Sequence, residues 1–218
     1  MTTKENLIHE IIELEWEMFQ KTQNIGGPAD CQKDRKAFEL HRMSQAVAWT
    51  EAPLQSYLTD LKDAVRQGRN LVSEKYARMM KSTSPEEYAR IAPLLPPLSH
   101  QVSSLVTKII EIVIPWQEDL TERFPYLLER GRPLYTPEDT PHSTSFETYL
   151  KGELETYSLN TLKLYYECLL EQKRNNVNAS EIDLEHKINH YGYDSLEDAN
   201  TTLMKKKREG ANVGHYDE

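Results

Sequence analysis

Only two cysteines, Cys31 and Cys168, stand among the 218 residues, too few for a disulfide framework or for a zinc cage built from thiolates alone. Glycine is scarce as well, at eight residues, and no glycine-rich phosphate loop follows a strand-like segment. No apolar run approaches the roughly 18 residues that a membrane-crossing helix requires. Acidic residues interrupt the apolar stretch at the amino terminus, where a signal peptide would need an unbroken one. The expected compartment is therefore the cytoplasm, with both thiols reduced. Positive charge is also short: 26 Lys and Arg face 35 Asp and Glu, giving a net charge of -9. That balance argues against nonspecific binding to nucleic acid or to anionic membranes. The one basic run, Lys205 to Arg208, reads as a solvated helix end. Alternating apolar and polar residues are missing too, so no strand is expected.

What is present is helical period. Thr2 and Glu5 have capping-box spacing ahead of a first helix that stops before Gly26-Gly27-Pro28. Further helices are expected over about 34–49, from the break at 50–53 to Gly68, over 70–80, and from Ser84-Pro85-Glu86-Glu87 to Pro93. Gln101 to Ile114 is the most apolar stretch and is expected to form the central core helix, with Pro115 kinking or restarting it into Trp116 to Phe124. Pro125, Pro133, Pro137 and Pro141, with Gly131, predict a long surface loop suited to a lid. Thr144-Ser145-Phe146-Glu147 reads as a capping box opening one helix of about 28 residues that ends near Arg174. Two shorter helices follow, each begun by serine. The expected fold is an all-α, single-domain multi-helix bundle over residues 1–209, with a long central helix and a proline-rich loop, and a flexible carboxyl-terminal tail over 210–218. The second half of the 28-residue helix is apolar nearly all round, so it is either deeply central or part of a homodimer interface.

Glu15 falls in the apolar stripe of the first helix, amid Ile8, Ile11, Ile12 and Phe19, whereas Glu10, Glu13 and Glu17 point away. A carboxylate taken from water without a partner costs several kcal/mol, so Glu15 must be paired, protonated, metal-bound or at a polar cavity. Glu153 repeats the anomaly within the stripe of Phe146, Leu150, Tyr157 and Leu164, flanked by Tyr149, Asn160 and Thr161, and Gly152 beside it would let a neighbouring backbone come close. The second helix supplies a cation, since His41, Arg42 and Gln45 lie between Phe38 and Trp49. If two inward acids meet one guanidinium, one negative charge is left over for water, a metal, protonated His41 or a cationic substrate. Glu15 and Glu153 are thus candidate catalytic acids or bases, and Arg42, Gln45, Tyr149, Tyr157 and His41 candidate substrate-binding residues. Cys31 lies between a helix end and a helix start, and because a helix amino terminus lowers a thiol pKa it is a candidate nucleophile assisted by His41, with a small buried thiol closing the loop as its plainer role. No metal site is expected: the helices of Glu15 and Glu153 lack the Glu-x-x-His pairs of di-iron bundles, and His186 and His190 lack the acid between them that a metallopeptidase needs. Lys75 and Arg78 lie on a mixed-charge helix whose Val72, Tyr76 and Met79 form the expected packing face; the two cations remain candidates for holding an anion.

Glu15-Trp16-Glu17-Met18-Phe19, the loop Gly26 to Gln32, Arg42-Met43-Ser44-Gln45, Glu74 to Met80, and Thr144 to Ser158 together resemble a bacterial domain-of-unknown-function family, over roughly residues 5 to 200. The resemblance implies a cytosolic domain of anaerobic and fermentative bacteria and carries no activity, cofactor or residue role. Two functions remain open. One is an inter-helix pocket for an unidentified small polar molecule, serving a hydrolase or a proton-transfer enzyme, which requires a solvent-connected cavity touching Glu15 and Glu153. The other is a non-enzymatic helical scaffold or protein-interaction module, whose buried charges are mutually satisfied.

Overall fold

In a computed structural model describing residues 2–23 and 30–209, the chain forms ten α-helices and no named strand among those residues. They are α1 (Thr3–Gln20), α2 (Arg35–Val47), α3 (Glu51–Arg66), α4 (Leu71–Thr83), α5 (Pro85–Ile91), α6 (His100–Arg123), α7 (Phe146–Leu154), α8 (Leu159–Arg174), α9 (Ala179–His190) and α10 (Leu196–Arg208). The expected tail over 210–218 lies outside the described residues.

Local chemistry accounts for most boundaries. The Thr2 side chain accepts from Glu5 N, and the Glu5 carboxylate accepts from Thr2 N, the reciprocal cap expected from spacing. Asp34, Asn70, Ser99, Ser158, Asn178 and Ser195 each cap the helix that follows, so α9 is begun by Asn178 and not by the expected serine. Pro115 neither stops nor restarts α6, which runs through it for 24 residues. Pro115 and Glu111 are both exposed, so the proline sits on the outer side of the helix, where the loss of one backbone hydrogen bond is least costly.

The main core is built from the inward faces of α1, α3, α6 and α8, with Ile8, Leu58, Leu61, Ile109, Leu162 and Leu169 almost wholly buried. A smaller core joins the end of α6 to α9 and α10 through Leu120, Phe124, Ile188, Leu196 and Ala199. Around the main core, α2 lies against α1 and α9, and α4 lies against α1 and α7. The carboxylates on α1 and α7 therefore face the cations on α2 and α4.

The single helix expected from Thr144 to Arg174 is two helices. The chain turns at 155–158 because Ser158 becomes the cap of α8: its hydroxyl accepts from Thr161 N, and Asp60 of α3 accepts from both Ser158 N (2.9 Å) and the Thr161 hydroxyl (2.7 Å). Asn160 and Thr161 consequently pair with α3, through Ser56 and Asp60, and do not flank Glu153. The start of α7 also differs from expectation. Ser145, not Thr144, is its cap, and Glu147 accepts from Thr136 N in the proline-rich segment. That segment is pinned to α7 by backbone bonds from Phe146 to Pro133 and from Glu147 to Leu134, and by Asp139 accepting from Ser145 N and the Thr148 hydroxyl.

Candidate functional site

Four charged side chains from four helices meet beneath the α1–α2 surface. Glu15 is 3% exposed on α1. Arg42 on α2 grips it in a fork, with Nη2 donating to Oε1 at 2.5 Å and Nε to Oε2 at 2.7 Å. The third nitrogen, Nη1, donates to Glu153 Oε1 at 2.9 Å and to Gln45 Oε1 at 2.6 Å. Glu153 on α7 receives its second cation from α4, whose Lys75 Nζ donates to Oε2 at 2.6 Å. Two phenols complete the set: Tyr57 donates to Glu15 Oε1 and Tyr157 to Glu153 Oε1, both at 2.7 Å. Each of the four carboxylate oxygens thus accepts at least one hydrogen bond.

Rings insulate the cluster. Trp49 packs on Tyr57, Tyr157 and Tyr165, with centroids 6.2, 6.0 and 4.3 Å away. On the other flank Phe19 stacks with Phe38 and Tyr76. Lys75 Nζ lies 3.4 Å from the Tyr149 ring centroid, and the Arg132 guanidinium lies over the same ring at 4.7 Å. Burial alone would raise the Glu153 pKa, but Arg42 and Lys75 overcome it and hold the carboxyl well below its ordinary range. Burial, reinforced by Glu15, pushes the Tyr57 phenol well above its ordinary value; burial and Glu153 do the same to Tyr157.

Lys75 reaches the cluster because α7 comes very close to α4. A Cβ on Gly152 would stand 2.8 Å from Met79 Cγ and 3.1 Å from the Lys75 carbonyl oxygen, so only glycine admits this approach. The inward face of α4 is Leu71, Lys75, Arg78 and Met79, rotated from the expected face of Val72, Tyr76 and Met79. Two cations are buried there: Lys75, bonded to Glu153 of α7, and Arg78, which lies 3.8 Å from Glu155 in the turn after it.

The inference of one unbalanced anion is overturned: Lys75 brings the count to two acids and two bases. The structure brings Glu15, Glu153, Arg42, Gln45, Tyr149 and Tyr157 together. The small cavity touching both acids, about 30 Å³, has room for a water or two and is lined without His41, which is half-buried beside Arg42 on α2. The side chain of Cys31 and residues 24–29 lie outside the described residues. Cys168 is a buried free thiol. His186 faces α2, its Nδ1 2.9 Å from the Ser44 hydroxyl, and His190 packs on Tyr191. Among the described residues, no three His, Cys, Asp or Glu side chains gather as metal ligands would. No helix among them is long and apolar enough to cross a membrane.

Sequence reasoning had Lys75 as a candidate for holding an anion but did not join it to Glu153, and it missed Tyr57 as a donor. It also missed a larger cavity, about 290 Å³, beside the cluster. Its walls include Asp60, Asp63 and Arg69 of the α3–α4 region, Arg78, Pro96 to Leu98, and the α7–α8 turn from Glu155 to Leu159.

No curated protein and no solved structure matches this chain. The family described as "Protein of unknown function (DUF4125)" matches residues 5–201, most of the length, and the chain belongs to that family.

Proposed function

We propose that this member of a family of unknown function is a small-molecule-binding helical domain whose four-charge cluster is its frame, and that the ligand space is the adjoining cavity. The observation that carries this reading is the contrast between the two sites. In the cluster every carboxylate oxygen is engaged, the formal charges cancel, and the open volume is about 30 Å³. A carboxyl held below its ordinary range by two cations is a weak general base, which disfavours hydrolysis or proton transfer at Glu153. The neighbouring cavity, about 290 Å³, is close to the lower end of the size range of ligand pockets and mixes charged with apolar walls. It shares Leu71 and Thr156 with the cluster's small cavity, so the frame fixes one of its sides.

The test is a thermal-shift screen of the full chain against amino acids, carboxylic acids, phosphates and polyamines, followed by a crystal structure with any stabilising compound. A ligand that binds only the folded state at 100 times its Kd stabilises by about 2.7 kcal/mol, enough to resolve in such a screen. Density in the larger cavity is the expected outcome. Density in contact with Glu15 and Glu153 would return the binding site to the cluster, and a screen without any stabilising compound would count against a binding protein.

A further inference from the structure

Among the described residues, Arg78 is the least satisfied buried cation. The residue is 6% exposed, yet its Nε has no hydrogen-bond partner and Nη2 has one, the Pro96 carbonyl at 2.8 Å. Its nearest carboxylate oxygen, Glu155 Oε2, stands 3.8 Å from Nη1, beyond hydrogen-bond reach. A buried, underbonded guanidinium is costly unless something else completes it. The other arginine of the cavity is not in this position, because Arg69 forks onto Glu74 at 2.8 and 2.7 Å. Both Arg78 and Glu155 line the larger cavity.

The wall decides what kind of ligand completes Arg78. Asp60, Asp63 and Glu155 outnumber Arg69 and Arg78, so a phosphate or a dicarboxylate would meet a net negative surface. A simple amine would leave Arg78 as it is. Asp60 already caps α8 and Asp63 pairs with Arg66, which leaves Glu155, whose contact with Arg78 is a long one of 3.8 Å, as the acid placed to receive a ligand cation. Arg78 and Glu155 present opposite charges to the cavity side by side, 3.8 Å apart, which suits a molecule whose carboxylate and ammonium sit on one carbon. Leu71, Val102, Pro97 and Leu98 offer apolar surface for what that carbon carries.

We infer that the cavity binds a free α-amino acid with an apolar side chain, its carboxylate on Arg78 and its ammonium on Glu155. This rests on the proposed binding function and names its ligand class. The experiment is calorimetric titration of the full chain with L-valine, L-leucine and L-methionine. Two matched analogues of leucine, 4-methylpentanoate without the amine and isopentylamine without the carboxylate, are titrated in parallel. At least one amino acid is expected to bind, with both analogues weaker by about tenfold or more, the scale of one lost charged hydrogen bond. E155Q and R78Q are each expected to weaken amino-acid binding to a similar degree; E155Q, at a less buried position, keeps the test decisive if R78Q fails to fold. Analogues binding as tightly as leucine, or amino-acid binding indifferent to E155Q, would overturn the assignment. If none of the three amino acids binds while the metabolite screen finds another ligand, the class is wrong and the binding function survives. If the screen finds nothing either, both fall.

Discussion

Arg42 does with one planar group what no other cation can do in this position. Its fork serves Glu15 through two nitrogens while the third reaches Glu153 and Gln45, so two buried acids are held by one side chain. Replacing it leaves two carboxylates against the single ammonium of Lys75. R42M is therefore expected to cost about 3–5 kcal/mol in urea unfolding, the range for breaking a buried ion pair from one side. R42K should recover only part of that loss, since a point charge cannot reproduce the fork. The exposed pair Lys62–Glu10 is the internal comparison, and K62M should change stability by no more than about 1 kcal/mol. A loss from R42M as small as that from K62M would show that the cluster is not a frame. Glu15, Glu153 and Arg42 were legible because helical winding turns each of them toward apolar neighbours. Tyr57 was not, since an inward tyrosine reads as core until its hydroxyl has a partner.

At the scale of elements, α4 and α7 are the pair on which the cluster depends. Gly152 is where they touch, and a methyl group there has no room against Met79 and the Lys75 backbone. G152A would gain up to about 1 kcal/mol of helix propensity. It is nevertheless expected to destabilise, because overpacking of this kind costs about 1–3 kcal/mol and would also push Lys75 away from Glu153. Chemical denaturation measures the net effect, and a stabilised G152A would mean that the two helices separate without loss. The glycine beside Glu153 pointed to a close approach but not to its partner. The turn between α7 and α8 was hidden for a related reason: no proline or glycine stands at 155–158, and the cap at Ser158 is held in place by Asp60, 98 residues away, which accepts its amide.

For the whole molecule, the cluster predicts how stability varies with pH. Glu153 has a folded pKa below its unfolded one, so its contribution is full above the ordinary carboxyl range and is lost as the pH falls toward the folded value. Asp139 is also lowered: burial opposes ionisation, but hydrogen bonds from Ser82, Thr148 and Ser145 outweigh it. Tyr57 and Tyr157 have folded values above their unfolded ones, so the stability linked to them is present below about pH 10 and drains as pH rises beyond it. Melting temperatures by circular dichroism should be level through neutral pH, then fall below about pH 4 and above about pH 10. E153Q should be less stable at neutral pH and show a shallower acid decline. An acid limb unchanged in E153Q would separate acid sensitivity from the cluster. What the sequence determined by itself was local: an all-helical chain, the caps Thr2 and Ser195, and which face of α1, α2 and α7 carries the misplaced charges, because winding and capping depend on residues within a turn or two. Only the tertiary structure decided that Lys75 would answer Glu153 from 78 positions away, that the cluster would be neutral, and that Arg78 would border an open cavity without its full set of partners. Those outcomes belong to the packing of separate helices, where an ion's partner is set by proximity in space and not by its place along the chain.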